Sequence, residues 1–171
     1  MDVDVRLRRA EPTDAEFLFA LVTGEDTRPF LGGRAGDSID DVRAEIERSQ
    51  RQPEVFGWLV AELEGERVGC VAYERTNERN AIAEGGRFAV DPRLRGRGIG
   101  DAMARAFQRH VLVDLGFHRL EIQIYGFNER AVAHAERVGY VREGVKRKAY
   151  MRHGEWQDAV LFSLLREDLG G

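Results

Sequence analysis

Val3 to Arg9 alternates apolar and polar side chains, the period-two pattern of a strand with one buried face. Pro12 suits the first turn of a helix, and Thr13 with Glu16 has capping-box spacing ahead of Phe17, Leu18, Leu21 and Val22. Ser38 followed by Asp41 predicts a second helix running to about Gln50, with Val42 and Ile46 on its inner face. Between them, Gly24 to Asp37 contains Pro29, Gly32-Gly33 and Gly36 and reads as a loop too short to separate domains. Val55 to Leu63 and Arg67 to Glu74 are β-rich runs joined by Glu64-Gly65-Glu66, the turn of a hairpin. Ala81 to Val90 predicts a further strand ending at Asp91-Pro92. Its Gly85-Gly86 pair marks a bulge or the close approach of another group.

From Gly98 to Leu115 the apolar residues Ile99, Met103, Phe107, Val111 and Leu115 recur at four-residue steps, which predicts a helix stopped by Gly116. His118 to Tyr125 alternates again, with Leu120, Ile122 and Ile124 on one face and Glu121, Gln123 and Tyr125 on the other. Asn128 caps a short helix that Gly139 ends, and two strands follow, around Tyr140 to Arg152 and Trp156 to Arg166. The order β, α, α, β, β, β, α, β, α, β, β predicts an α/β fold: a mixed sheet covered by helices, with a parallel crossover at the long central helix.

A chain of 171 residues suits one domain, here spanning 1–171, and has no internal repeat. Its 43% hydrophobic and 33% charged residues fit a water-soluble globular protein. A net charge of -4 argues against a nucleic-acid partner, which selects for a basic field. Cys70 is the single cysteine, so neither an internal disulfide nor a cysteine zinc cluster is available, and the four histidines lack metal-ligand spacing; no metal is expected. An acidic start, Met1-Asp2-Val3-Asp4, is unlike a signal peptide, and no apolar run approaches the ~20 residues that cross a bilayer. The expectation is a cytoplasmic protein without a membrane partner.

Chemistry concentrates in Val90-Asp91-Pro92-Arg93-Leu94-Arg95-Gly96-Arg97-Gly98-Ile99-Gly100, where a strand enters a glycine- and arginine-rich turn and then a helix. Glycines allow a tight turn with converging N–H groups, and the helix N-terminus adds about half a positive charge, so the physical logic is that of a diphosphate site. Arg93, Arg95 and Arg97 place charge-assisted donors around it. No GxxxxGK[ST] is present, which disfavours nucleotide hydrolysis, and Gly96-x-Gly98-x-Gly100 lacks the dinucleotide spacing.

The run Arg95-Gly96-Arg97-Gly98-Ile99-Gly100 resembles the Q/R-x-x-G-x-G/A acyl-CoA turn of the GNAT superfamily of N-acetyltransferases. Val68-Gly69-Cys70-Val71-Ala72, Asn128-Glu129-Arg130-Ala131 with Val138-Gly139-Tyr140, and the tail from Arg142 to Leu165 extend the likeness over essentially the whole chain, toward the RimJ/RimL branch. The resemblance implies a mixed, mostly antiparallel seven-stranded sheet with helices on both faces and a splayed central strand pair. It implies acetyl-CoA as cosubstrate, held by the backbone of Phe88, Ala89 and Val90, by Arg95, Gly96, Arg97, Gly98, Ile99 and Gly100, and by Asn128. The acceptor it implies is a small-molecule amine or a peptide N-terminus, attacked directly in a ternary complex. Homodimers are common in this family.

The resemblance implies Glu84 as the candidate base, since its spacing to the arginine-glycine turn is that of the glutamate base of the histone-acetyltransferase branch, and alternation along its strand puts it on one face with Phe88 and Val90. Phe30, Tyr125 and Tyr150 are the candidate acceptor contacts. The tyrosine acid that many relatives carry seven residues after the asparagine is Ala135 here, and the serine common in the RimJ/RimL branch is Ala131. Tyr125, His134 and Tyr150 are the replacements available to protonate the departing thiolate. A non-catalytic acyl-CoA-binding domain is the alternative that these alanines raise.

Overall fold

The computed structural model describes residues 2–31 and 38–170, so Gly32 to Asp37 of the predicted loop lie outside the described residues. Seven strands form one sheet: β1 (Arg6–Arg9), β2 (Phe56–Leu63), β3 (Glu66–Asn77), β4 (Ile82–Val90), β5 (Arg119–Tyr125), β6 (Val141–Arg152) and β7 (Glu155–Leu165). Their spatial order is β1-β2-β3-β4-β5-β7-β6. Among the described residues, only β4 and β5 pair in parallel. The helices are α1 (Ala15–Thr23), α2 (Ile39–Arg51), α3 (Ile99–Arg109), which provides the parallel crossover, and α4 (Glu129–Arg137).

Local chemistry accounts for most element ends. The β2–β3 and β6–β7 turns each place two consecutive residues in the left-handed region, Glu64 with Gly65 and His153 with Gly154, as tight hairpins require. Ser38 Oγ accepts the Asp41 N–H at 3.1 Å and starts α2 as expected. The first helix differs from expectation. Pro12–Asp14 forms a 3-10 turn, and the Glu11 N–H donates to the Asp14 carboxylate at 2.8 Å, so the cap is not the Thr13/Glu16 pair. Asp14 is buried and fixed by Arg8 at 2.7 Å and by Arg67 at 3.3 Å, so the chain turns around it before α1 begins. At its C-terminal end α3 widens into a π-helical stretch, His110–Asp114, before Gly116 stops it at φ 81°.

Helices cover both faces of the sheet. Leu18, Leu21 and Val22 of α1 and Val42 and Ile46 of α2 pack with Trp58, Val60, Cys70 and Ala89. On the other face Ala104 and Phe107 of α3 and Ala135 of α4 pack with Val71, Tyr73, Ala83, Leu120 and Phe162.

The sheet divides at its centre. β4 follows β3 to the pair Gly69↔Val90, yet it pairs with β5 only at Ile82↔Arg119, Ala83↔Leu120 and Glu84↔Glu121, while β5 stays with β7 as far as Tyr125↔Ala159. The β4 bulge lies one residue beyond the expected glycine pair. As β3 moves from Ala72 to Cys70, β4 moves from Gly86 to Ala89, and Arg87 takes φ 51°. Gly85 serves close approach instead: a Cβ there would stand 2.9 Å from Phe107 Cε1 and 3.1 Å from Ile122 Cγ2.

The extra residue inverts the alternation. Ala83 and Gly85 face α3 before the bulge, and Phe88 and Val90 face it afterwards. Glu84 and Ala89 point to the opposite face. The expectation that Glu84 shares a face with Phe88 and Val90 is thereby corrected, because simple alternation does not survive a bulge.

Gly69 lets β4 lie close: a Cβ there would meet the Ala89 carbonyl oxygen at 2.5 Å and Met103 Sδ at 2.9 Å. Backbone cannot yield as a flexible side chain can. Gly69→Ala is expected to lower stability by about 1–3 kcal/mol in urea denaturation, whereas Gly86→Ala, with open space around the new methyl, stays within about 0.5 kcal/mol.

Candidate active site

Where β4 and β5 part, a cleft of about 1220 Å³ opens, bounded by both strands, the turn before α3, the first turn of α3, α4 and the segment from Asp26 to Leu31. Glu84, Phe88, Ala89, Val90, Arg95, Gly96, Gly98, Ile99, Gly100, Asn128, Phe30, Tyr125 and Tyr150 all line it. Of the three arginines of the turn, only Arg95 is part of this lining; Arg93 and Arg97 stand outside it and are exposed. A hollow of about 430 Å³ among Pro53, Glu54, Arg75 and Phe117 contains none of these candidates.

One end of the cleft suits an anion. Gly96 and Gly98 have φ 79° and 76°, and Gly98 is the N-cap of α3, whose first N–H groups are free of helical partners. Nothing lies within 4 Å of the place a Gly96 Cβ would occupy. The turn is thus an open cradle of backbone donors. The arginines contribute unequally: Arg93 is committed to Asp91, with Nη2 2.6 Å and Nε 3.1 Å from its carboxylate oxygens, whereas Arg95 makes only a long 3.4 Å bond to the Asp26 carbonyl. Arg93 in turn holds the Asp91 carboxyl below the usual carboxylate range.

Asn128 has a structural task. Its Oδ1 accepts the Ala131 N–H at 3.2 Å and caps α4, and its own N–H donates to the Tyr125 carbonyl at 2.9 Å. His134 on α4 rests its ring 5.5 Å from that of Phe88 and places Nε2 3.2 Å from Asp101 Oδ1 at the start of α3. Burial, joined by the charge of Arg137, outweighs Asp101 and lowers the His134 pKa, which favours the neutral ring.

The other end is acidic and aromatic. Glu84 stands in register with Glu74 on β3 and Glu121 on β5, a transverse row of carboxylates. Burial is the main cause that raises the Glu84 pKa above 4.5; Glu121 and Glu74 add to it, and Lys146 and the nearby Gln123 amide oppose it. Arg48 of α2 neutralises Glu74 at 2.7 Å, and Arg119 lies 3.3 Å from Glu121. Phe30, Tyr125 and Tyr150 come together around Phe127: Tyr125 stacks on it at 5.2 Å, Phe30 lies at 6.2 Å, and Tyr150 stands edge-on to Tyr125 at 6.2 Å. His153 closes the group at 5.5 Å from Phe127. The hairpin tip holds the mouth, since Arg152 donates to the Arg28 carbonyl at 2.6 Å and His153 Nε2 lies 3.1 Å from that of Pro29.

Phe127, Gln123 and Arg87 also line this cleft, though the local sequence does not single them out. Phe127 sits in a two-residue turn without periodicity, and Gln123 reads as the polar half of an alternating strand. Arg87 becomes visible only through the bulge, which lays its guanidinium over Trp58 at 4.6 Å and beside Glu45 at 3.0 Å. Cys70 is the small core residue expected, its thiol pushed up to about 12 by burial. Among the described residues no cluster of three or more His, Cys, Asp or Glu is placed to hold a metal ion, and no helix is long and apolar enough to cross a membrane.

Comparison with known proteins agrees with this geometry. The family model described as acetyltransferase (GNAT) domain matches residues 4–141. The prophage-derived uncharacterized N-acetyltransferase YokL of Bacillus subtilis is 24% identical over 96% of this chain and 92% of its own. Spermidine N-acetyltransferase from Vibrio cholerae, solved with CoA and spermine, superposes with a TM-score of 0.86 at 20% identity, over 96% of this chain and 97% of that one. RimL, a ribosomal L7/L12 alpha-N-protein acetyltransferase solved with coenzyme A, gives 0.83 at 19%, over 96% and 95%. The parallel crossover, the divided sheet and the glycine turn at the start of α3 are features of a chain that belongs to the GNAT acetyltransferase family.

Proposed function

We propose that this cleft carries an acetyl group from acetyl-CoA to a primary amine, with Glu84 taking the amine's proton. The observation that carries the reading is a continuous track: the unpaired edge of β4 beyond Glu84 leads directly into the N–H cradle at Gly96 to Gly100. Acetyl-CoA fits such a track chemically. Its pantetheine amides match free strand donors and acceptors, as an added strand would, and its diphosphate matches a helix N-terminus. Phe88, Ala89 and Val90 would hold the first, and Arg95 with Gly96, Gly98, Ile99 and Gly100 the second. Asn128 borders this path, while the exposed Arg97 would contribute through its backbone.

In the transfer, the amine nitrogen forms a bond to the acetyl carbon as the carbon–sulfur bond breaks. The ammonium proton passes to Glu84 directly or through water, and the CoA sulfur leaves as a thiolate whose reference pKa, about 8.5, makes it tolerable without a dedicated acid. Free N–H groups of β4 polarise the thioester carbonyl.

The row of Glu74, Glu84 and Glu121 favours a cationic acceptor, and the surround of Phe30, Tyr125, Phe127 and Tyr150 favours one with an apolar stem. Both a polyamine-like molecule and a protein N-terminus meet this description, the classes named for the two solved relatives. We place the protein in the cytoplasm and as a homodimer; exposed Val141, Val145, Met151 and Trp156 on the β6–β7 hairpin support the pairing.

Thiol release from acetyl-CoA across a panel of polyamines, amino acids and peptide N-termini tests the whole reading. Glu84→Gln is expected to lower kcat at least about 100-fold with acetyl-CoA affinity retained; undiminished turnover would remove Glu84 from the mechanism, and binding without turnover from any amine would favour a carrier role. Because the Glu84 pKa is raised and its charged form is the base, kcat/KM should fall with decreasing pH through a value above 4.5, and this limb should vanish in the variant. Gly96→Val, which fills the cradle and strains a left-handed residue, should raise the acetyl-CoA Kd about tenfold or more in calorimetric titration.

A further inference from the structure

We propose that Arg137 is a positioning residue for the anion end of the cleft: it draws the Asp101 carboxylate across to α4 and so keeps a fixed negative charge off the N–H cradle at the start of α3. This rests on the reading of that cradle as the site of the acetyl-CoA diphosphate.

Asp101 stands where a carboxylate works against an anionic ligand. It is the third residue of α3 after the N-cap Gly98, and it borders the cleft together with Gly98, Ile99 and Gly100. The N–H groups of Ile99, Gly100 and Asp101 precede the first bond of the helix, which runs from the Ala102 N–H to the Gly98 carbonyl at 3.2 Å. An acid at this position commonly folds back on the free donors of its own first turn, where the helix dipole also favours it. Such a carboxylate would be a built-in anion in the place that a diphosphate needs.

In this chain the carboxylate is bound elsewhere. Both oxygens accept from Arg137 in the last turn of α4, Oδ1 from Nη2 at 2.7 Å and Oδ2 from Nε at 3.1 Å, the two-pronged geometry in which a guanidinium fixes the plane of a carboxylate. His134, three residues earlier on the same side of α4, brings Nε2 to 3.2 Å from Oδ1 and lies 3.8 Å from the place a Gly100 Cβ would occupy. Among the described residues Arg137 is the one arginine or lysine within 4 Å of Asp101, while Arg105, one turn further along α3, acts at longer range. The Arg137 bonds hold the Asp101 carboxyl below the usual carboxylate range, so it carries its charge at neutral pH.

With 58% of the Arg137 side chain exposed, the pair adds little to folding stability. Its effect is on where charge lies. Paired, Asp101 leaves the three N–H groups and the lightly engaged Arg95 to an incoming anion. Released, it would both repel that anion and compete for its donors. Either penalty falls on the diphosphate end of the ligand and neither on its amide arm.

The test is calorimetric titration of the full chain with CoA, which needs neither acceptor nor turnover. Arg137→Gln is expected to raise the CoA Kd about fivefold, and by more at low salt. Asp101→Asn should bind CoA at least as tightly as the unaltered chain, and added to Arg137→Gln it should restore the original Kd. That restoration separates the charge effect from simple docking of α4 on α3, which predicts weaker binding in both single variants. An unchanged Kd in Arg137→Gln overturns the inference. So does failure of Asp101→Asn to restore it, which would make Arg137 itself a phosphate ligand. 3′-Dephospho-CoA should show the same fold-change, and an effect confined to CoA would move Arg137 to the 3′-phosphate and overturn the assignment to the diphosphate. If Arg137→Gln fails to fold, Asp101→Asn carries the test alone, and weaker binding there overturns the inference. Failure of the unaltered chain to bind CoA removes the cofactor reading itself, an outcome that needs no variant to recognise.

Discussion

A strand that loses a neighbour leaves a row of backbone donors and acceptors to be satisfied by something else, and β4 loses β5 just beyond Glu84. The separation has packing causes on both sides. Phe107 of α3 presses against Gly85 at the point of divergence, and the extra residue at Arg87 bends β4 toward β3, while β5 is drawn along β7. The strand edge is thus left open to the cleft over an intact core: Ala83, Phe107 and Leu120 are buried.

The same bulge sorts the chemistry. By inverting alternation it sends Phe88 and Val90 toward α3 and α4, and it turns Arg87 back over Phe56 and Trp58 to meet Glu45. Glu84 remains on the opposite face with Glu74 and Glu121. One wall of the cleft is therefore apolar and amide-rich and the other charged. On the function proposed here, a neutral pantetheine arm and a cationic amine would enter the same opening with little competition for each other's partners.

Much of this arrangement is legible in the amino-acid order where the signal is local. The element order, the Ser38 and Asn128 caps, the Gly116 and Gly139 stops and both hairpin turns follow from spacing, because each depends on residues within a few positions. The glycine turn before α3 is legible for the same reason: its function resides in backbone, and glycine announces unusual backbone. What escapes local reading is set by packing across the sheet. The bulge falls at Arg87 and not at the glycine pair, since Gly85 is needed for contact with Phe107. Asp14 displaces the first helix because Arg8 and Arg67 converge on it from other strands. Phe127 and Gln123 acquire meaning only through partners on β6 and in the segment near Phe30.

The carbonyls of Arg28 and Pro29, gripped by Arg152 and His153 from the hairpin tip, join two stretches far apart in the chain by side-chain bonds alone. The proposed cofactor track is built from contiguous backbone, whereas the mouth is an assembly of side chains from three separate segments. Inheritance acts on the two differently. On the proposed assignment, substitutions at Phe30, Phe127, Tyr150 or His153 would redraw what enters without disturbing the strand and turn that would carry the acetyl donor, so a lineage built on this plan could change its clientele while keeping its trade.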